Sequence, residues 1–173
     1  LNCNYVVAIY VQEKNDKVIT RKLDCIYSPG TYFSVDKNDK ITNNIGCIWM
    51  EKFTRKSGEL YVVYGVSVVD ILTGKSHIFE HETEFSMNPT TFDELERIMS
   101  TFTPSELVVV SDIERTELQS IFQFINAANV MTHYVTLSNS CAINCSKQTY
   151  IHNILESFFG KSSVTQCKEF NQY

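Results

Sequence analysis

Two runs rich in β-branched and aromatic residues open the chain, Tyr5 to Gln12 (YVVAIYVQ) and Val18 to Tyr27 (VITRKLDCIY), with polar Glu13 to Lys17 between them. That composition predicts two strands joined by a turn. Ser28-Pro29-Gly30 ends the second run, because proline fixes φ and glycine accepts the positive φ of a type II turn. From Ser34 to Asn44 the chain is polar and without period, the pattern of a linker, and a domain boundary is expected there.

Beyond the linker the alternation returns. Ile45 to Phe53, Tyr61 to Leu72 and Ser76 to Phe79 read as three strands, the last two joined by a tight turn in which Gly74 takes the left-handed position. The period then lengthens from two to about 3.6. Thr91-Phe-Asp-Glu94 is predicted to be a capping box, and Phe92, Leu95, Ile98, Met99 and Phe102 line one face of a helix ended by Pro104. Leu107 to Val110 is wholly apolar, as in a strand covered on both faces. Ser111-Asp-Ile-Glu114 offers a second capping box, followed by an apolar stripe of Ile113, Leu118, Ile121, Phe122 and Ile125. Val130 to Leu137 reads as another strand. A third helix is expected from about 146 to 159, with Ile151, Ile154, Leu155, Phe158 and Phe159 inward and Gly160 just past its end. The fold class implied is α/β: a mixed sheet in which an antiparallel meander is followed by parallel strands, with three helices. That element order resembles a ribonuclease H-like sheet.

Composition narrows the classes of function. A chain of 173 residues, 43% hydrophobic, can bury a core of its own. No run approaches the ~20 apolar residues that span a bilayer. The chain starts at Leu1 with no signal-like leader, so a soluble, excised piece of a longer protein is expected, without a membrane partner. The six cysteines show no paired framework, which suggests an intracellular, reducing location; Cys141 and Cys145 are spaced as zinc ligands can be but lack a second close-set pair. The formal net charge of −5 argues against independent DNA binding. Between Glu80 and Glu117, ten acidic residues face two arginines. Glu80, Glu82 and Glu84 are therefore candidate interface residues for a basic partner, against the plainer reading of a solvated acidic face.

Motifs for catalysis are sparse. Thr73-Gly-Lys-Ser76 resembles the end of a phosphate-binding loop, but Val69 stands where the leading glycine is required and the context is strand to strand. No histidine pair or serine nucleophile elbow is present. The rival to a non-catalytic reading is a metal-dependent nuclease using Asp70, Glu94 and Asp112. Each has a structural use instead: Asp70 in its hairpin turn, Glu94 in a capping box, and Asp112 at a helix start. No catalytic, metal or cofactor-binding residue is therefore assigned, and Pro29, Gly30, Thr31, Asp70, Thr73 and Gly74 are read as structural turn residues.

Taken in order, Arg21 to Thr31 with its Pro-Gly-Thr turn, Asn43-Asn44 before the Ile45 strand, Tyr64-Gly65 with Asp70 and Thr73-Gly74, and the Pro104-Ser-Glu-Leu107 step resemble the entry into the connector domain of MutS-family mismatch-repair proteins. The resemblance implies that residues 1–31 end the mismatch-binding domain, 32–44 are a linker, 45–160 form the connector and 161–173 begin the link to the lever domain. It implies no cofactor in this stretch, with ATP and Mg held by an ATPase domain elsewhere in the parent protein. The partners implied are the parent's other domains, mismatched duplex DNA bound through the parent, and a MutL-type protein. A viral or organellar source is expected from the richness in Asn, Ile, Lys, Tyr and Phe. Tyr32 and Phe33 are candidate interface residues, and the severed N-terminal strands could pair two copies as a homodimer.

Overall fold

Residues 45 to 70 build the centre of the molecule because their apolar side chains fall at every second position, so one face of each strand can be buried along its whole length. The computed structural model describes residues 5–15, 18–31 and 43–160. The Ser34–Asn44 linker reading falls outside the described residues up to position 42, as does everything after 160. The described elements are β1 (Val7–Asn15), β2 (Val18–Tyr27), β3 (Asn44–Thr54), β4 (Leu60–Asp70), β5 (Ser76–Glu84), α1 (Asp93–Phe102), β6 (Glu106–Val110), α2 (Arg115–Phe124), β7 (Met131–Val135), α3 (Ser140–Cys145) and α4 (Gln148–Phe159).

β1 and β2 form an antiparallel ribbon of their own, with a bulge between Ile9 and Tyr10. The other strands make a five-stranded sheet in the order β5-β4-β3-β6-β7. β5, β4 and β3 are the antiparallel meander, and β6 lies parallel to β3 with Ile45 beside Glu106. This mixed order is the ribonuclease H-like arrangement expected from the sequence.

One sheet face carries the core. Ile48 and Met50 of β3, Val62, Tyr64, Val66 and Val68 of β4, and Leu107 and Val109 of β6 pack with Leu95, Ile98 and Met99 of α1 and Leu118, Ile121 and Phe122 of α2. Burying each such aliphatic side chain contributes roughly 1.5–3 kcal/mol. The Tyr64 hydroxyl lies in this core without a hydrogen-bond partner. Across the sheet–helix seam, Lys52 Nζ donates to Glu117 Oε2 at 2.6 Å and sits 4.7 Å above the Phe85 ring. Trp49 is half-buried on the opposite face, its indole N–H donating to Glu51 Oε1. Strand alternation explains this, since Ile48 and Met50 on either side of it take the core positions.

Several local expectations are corrected. Thr91 caps nothing: it lies in a 3-10 turn, Pro89–Phe92, whose cap is Asn88, and its own N–H donates to Asn88 Oδ1 at 3.1 Å. Pro89 favours that turn because it has no N–H to lose, so α1 starts later and Glu94 pairs with Arg97 instead. Ser111 likewise is not a helix cap. Its hydroxyl donates to the Met50 carbonyl at 2.7 Å and accepts the Ile113 N–H at 3.1 Å, which ties β3 to β6 and delays α2 to Arg115.

β5 continues to Glu84, past the expected end at Phe79, because Phe79, His81 and Thr83 keep turning toward the core face while the glutamates point away. Between β7 and α4 lies a short additional helix, α3, beyond the three expected, with Asn139 Oδ1 accepting the Cys141 N–H at 2.9 Å. The chain divides into residues 1–134 and 135–173. In the second unit the expected inward residues of α4 are not inward: none of the helix is buried, and Phe158 is 78% exposed. Gly160 ends α4 with φ 79°, a conformation other residues resist.

Candidate functional site

The turn residues singled out from the sequence meet at one end of the sheet, where β3 and β6 begin and β4 ends. In the Ser28–Thr31 turn, Thr31 N–H donates to the Ser28 carbonyl at 3.1 Å and Ser28 N–H to Thr31 Oγ1 at 2.9 Å. Pro29 supplies a pre-set φ, but Gly30 does not take the positive φ expected of it. Its lack of a side chain serves a close approach instead. A Cβ there would stand 2.7 Å from Glu106 Oε2 and 2.9 Å from Ile45 Cγ1.

The hairpin after β4 is built on Asp70. Its Oδ1 accepts the N–H groups of Asn43 at 3.0 Å and Leu72 at 3.1 Å, and its Oδ2 accepts the Thr73 hydroxyl at 2.6 Å. Gly74, at φ 72°, returns its N–H to the Asp70 carbonyl at 2.8 Å. The Thr73 hydroxyl first, then the Asn43 and Leu72 amides, outweigh burial and hold the Asp70 carboxyl below the usual carboxylate range.

Asn43 joins the two turns. Its side-chain NH2 donates to the Gly30 carbonyl at 3.2 Å and the Pro29 carbonyl at 3.4 Å, its Oδ1 accepts the Ser105 hydroxyl at 2.6 Å, and its carbonyl accepts the Ile71 N–H at 3.0 Å. Asn44 completes the junction, donating to the Phe102 carbonyl at 2.5 Å and accepting the Ser105 N–H at 2.8 Å. Pro29, Gly30, Thr31, Asp70, Thr73 and Gly74 thus belong to one polar network that reaches β3, β4, β6 and the end of α1.

Glu106 is the other centre of that network, and the sequence reading assigned it no role. Oε2 accepts the Ser28 hydroxyl at 2.5 Å and the Gly30 N–H at 2.9 Å, while Oε1 lies 2.5 Å from His133 Nε2. Burial alone would raise its pKa, but the hydrogen bonds from Ser28, His133 and Gly30 together win and hold it below the ordinary glutamate value. The available signal was a lone acid opening a strand otherwise wholly apolar, for which burial requires partners.

Other candidates lie elsewhere. Glu80, Glu82 and Glu84 form an exposed row on β5, the edge strand, pointing to the face opposite the core, and Glu82 pairs with Arg55, which stacks 3.8 Å over Tyr61. Charged residues on an edge strand discourage pairing with another strand. Tyr32 and Phe33 fall outside the described residues. Glu94 is taken up by Arg97, whose hydrogen bond is the main cause of its lowered pKa. Among the described residues, no group of three or more His, Cys, Asp or Glu side chains is placed to hold a metal ion. No described helix is long and apolar enough to cross a membrane.

Comparison with known proteins places the chain near one lineage. It is 30% identical over 109 residues to a DNA mismatch repair protein mutS homolog of Acanthamoeba polyphaga mimivirus, a match covering 63% of this chain and 10% of that protein. The chain thus has a MutS-like relationship and spans about a tenth of the length of the curated relative it matches. No family model matches. Among solved structures, Ciona intestinalis endonuclease V in complex with inosine-containing DNA aligns at TM-score 0.38 and 10% identity, over 68% of this chain and 56% of that one. A simian T-cell lymphotropic virus intasome aligns at TM-score 0.31 and 15% identity, over 69% and 44%. Likenesses this distant carry no functional weight.

Proposed function

We propose that this chain is the connector module of a MutS-type DNA mismatch repair protein. It is non-catalytic, and it relays ATP-driven conformational change between the mismatch-recognition and ATPase parts of a longer protein while offering surface to partner proteins, a MutL-type protein among them. In this reading residues 1–31 end the mismatch-binding domain, 32–44 link it to the connector at 45–160, and 161–173 lead toward the lever. DNA is met through the parent, and ATP and Mg belong to its ATPase domain. The exposed ribbon is the surface through which two copies of the isolated piece would pair.

The observation that carries the reading is the polar junction, in which Asn43 binds the ribbon's exit turn to the Asp70 hairpin. Such a network suits a part that transmits position rather than one that performs a reaction. Asp70, the acid a nuclease of this fold would need most, has both carboxylate oxygens committed to its own turn.

The test uses the full-length parent protein. Asn43→Ala is expected to leave basal ATP hydrolysis and mismatch-duplex affinity nearly unchanged while stimulation of hydrolysis by a mismatch falls roughly tenfold, a normal size for coupling between sites. Two results would end the proposal: a full-length protein without ATPase activity, or reproducible Mg- or Mn-dependent cleavage of DNA or an RNA–DNA hybrid that Asp70→Asn abolishes.

A further inference from the structure

Glu106 opens β6 between the ribbon's exit turn and β7, and its two oxygens are divided between them, Oε2 to Ser28 and Gly30 and Oε1 to His133. The residue is only 9% exposed. The ribbon beyond the turn is the reverse: Tyr10 is 60% and Ile19 58% exposed, and both lie away from its base. A two-stranded ribbon is marginal on its own in water, so what fixes its base fixes its position.

Asn43 and Glu106 both hold the turn at that base. Asn43 reaches the carbonyls of Pro29 and Gly30 at 3.4 and 3.2 Å. Glu106 makes the shorter, charge-assisted bonds to Ser28 and Gly30, and bonds to an ionised carboxylate are about twice as strong as neutral ones. His133 faces the carboxylate from β7 and is its titratable neighbour; Ser28 and Gly30 from the turn and Ile45 from β3 carry no charge. The ties to Glu106 depend on one charge, so they are lost together when that charge is opposed, and the longer Asn43 contacts then remain as a pivot.

We infer that the Glu106 carboxylate is a charge-dependent catch holding the exit turn of the β1–β2 ribbon on the sheet, and that the ribbon moves as a lever about Ser28–Thr31 when the catch opens. The inference rests on this geometry and does not require the MutS reading.

Amide hydrogen exchange on the whole 173-residue chain tests it, comparing Ser28→Asp with the nearly isosteric Ser28→Asn. The aspartate sets a second negative charge against Glu106, whereas the asparagine controls for size. The Gly30 amide is expected to exchange at least about tenfold faster in Ser28→Asp than in Ser28→Asn, the lower end of the effect of losing a hydrogen bond to a charged group. The ribbon amides follow it, and those of β3 and β4 stay as they were. Adding Glu106→Gln to Ser28→Asp returns exchange to the Ser28→Asn level. Equal exchange in the two Ser28 variants, no recovery in the double variant, or a loss of protection spread evenly through β3 and β4 would each overturn the inference.

Discussion

Replacing Tyr64 with phenylalanine should make this protein more stable, against the usual direction of core substitutions. The Tyr64 ring is 1% exposed and lies 5.4 Å from the His81 ring, and its hydroxyl has no hydrogen-bond partner; the Leu95 amide, though near, is not in bonding geometry. Leaving a buried hydroxyl unpaired costs roughly 1–3 kcal/mol, and Phe keeps the ring while removing that cost, so a net gain of about 1 kcal/mol is expected after allowing for the small void left behind. In a chain of this size that corresponds to a rise in Tm of about 2–4 °C.

A second signature is set by pH. Burial, and to a lesser degree Glu94 and Asp93, push the phenol up from 10.0 to about 12. The unfolded chain therefore loses this proton first as pH rises, and the wild type is progressively destabilised between pH 10 and 12 while Tyr64→Phe is not. At pH 11 the extra difference amounts to about 1.4 kcal/mol. Urea titrations followed by the fluorescence of Trp49, the chain's lone tryptophan, at pH 7 and pH 11 would measure both effects. A Phe variant less stable than the wild type at pH 7, or a gap that fails to widen at pH 11, would show that the hydroxyl is satisfied after all.

Two further outcomes are expected. Gly46→Ala would set a Cβ 2.6 Å from Leu107 Cδ2, so it should destabilise by about 1–3 kcal/mol in urea melts, with part of the loss recovered by Leu107→Val. Because Glu106 is held below its ordinary value of 4.5, the stability it contributes is present above that pH and lost as pH falls through the depressed value; acid titration of Glu106→Gln should therefore show a shallower decline than wild type.

Much of the fold could be read from alternation alone, because a sheet buried on one face writes its register into the sequence. β3, β4 and the buried β6 stand close to where apolar periodicity puts them. Alternation misled at β5, where three glutamates occupy the solvent-facing positions and mask the half-buried Phe79, His81 and Thr83. Helix starts were misread for a different reason. Thr91 and Ser111 have the right spacing for capping boxes, but local competition decided otherwise, with Asn88 claiming the first and the Met50 carbonyl the second. For the junction, individual turns were legible and their union was not: Asn43 and Glu106 act across 13 to 78 positions of sequence, a relation that no local pattern encodes.

The glutamate row on β5 has a consequence for how copies of this chain meet. Two sheets approaching border to border would bring like-charged rows into register, and the electrostatic penalty would grow with each rung added. The meander is thereby self-terminating: it can be manufactured at high concentration without templating endless ladders. A variant carrying Ile or Val in place of Glu80, Glu82 and Glu84 would forfeit that insulation and acquire the features of a fibril nucleus.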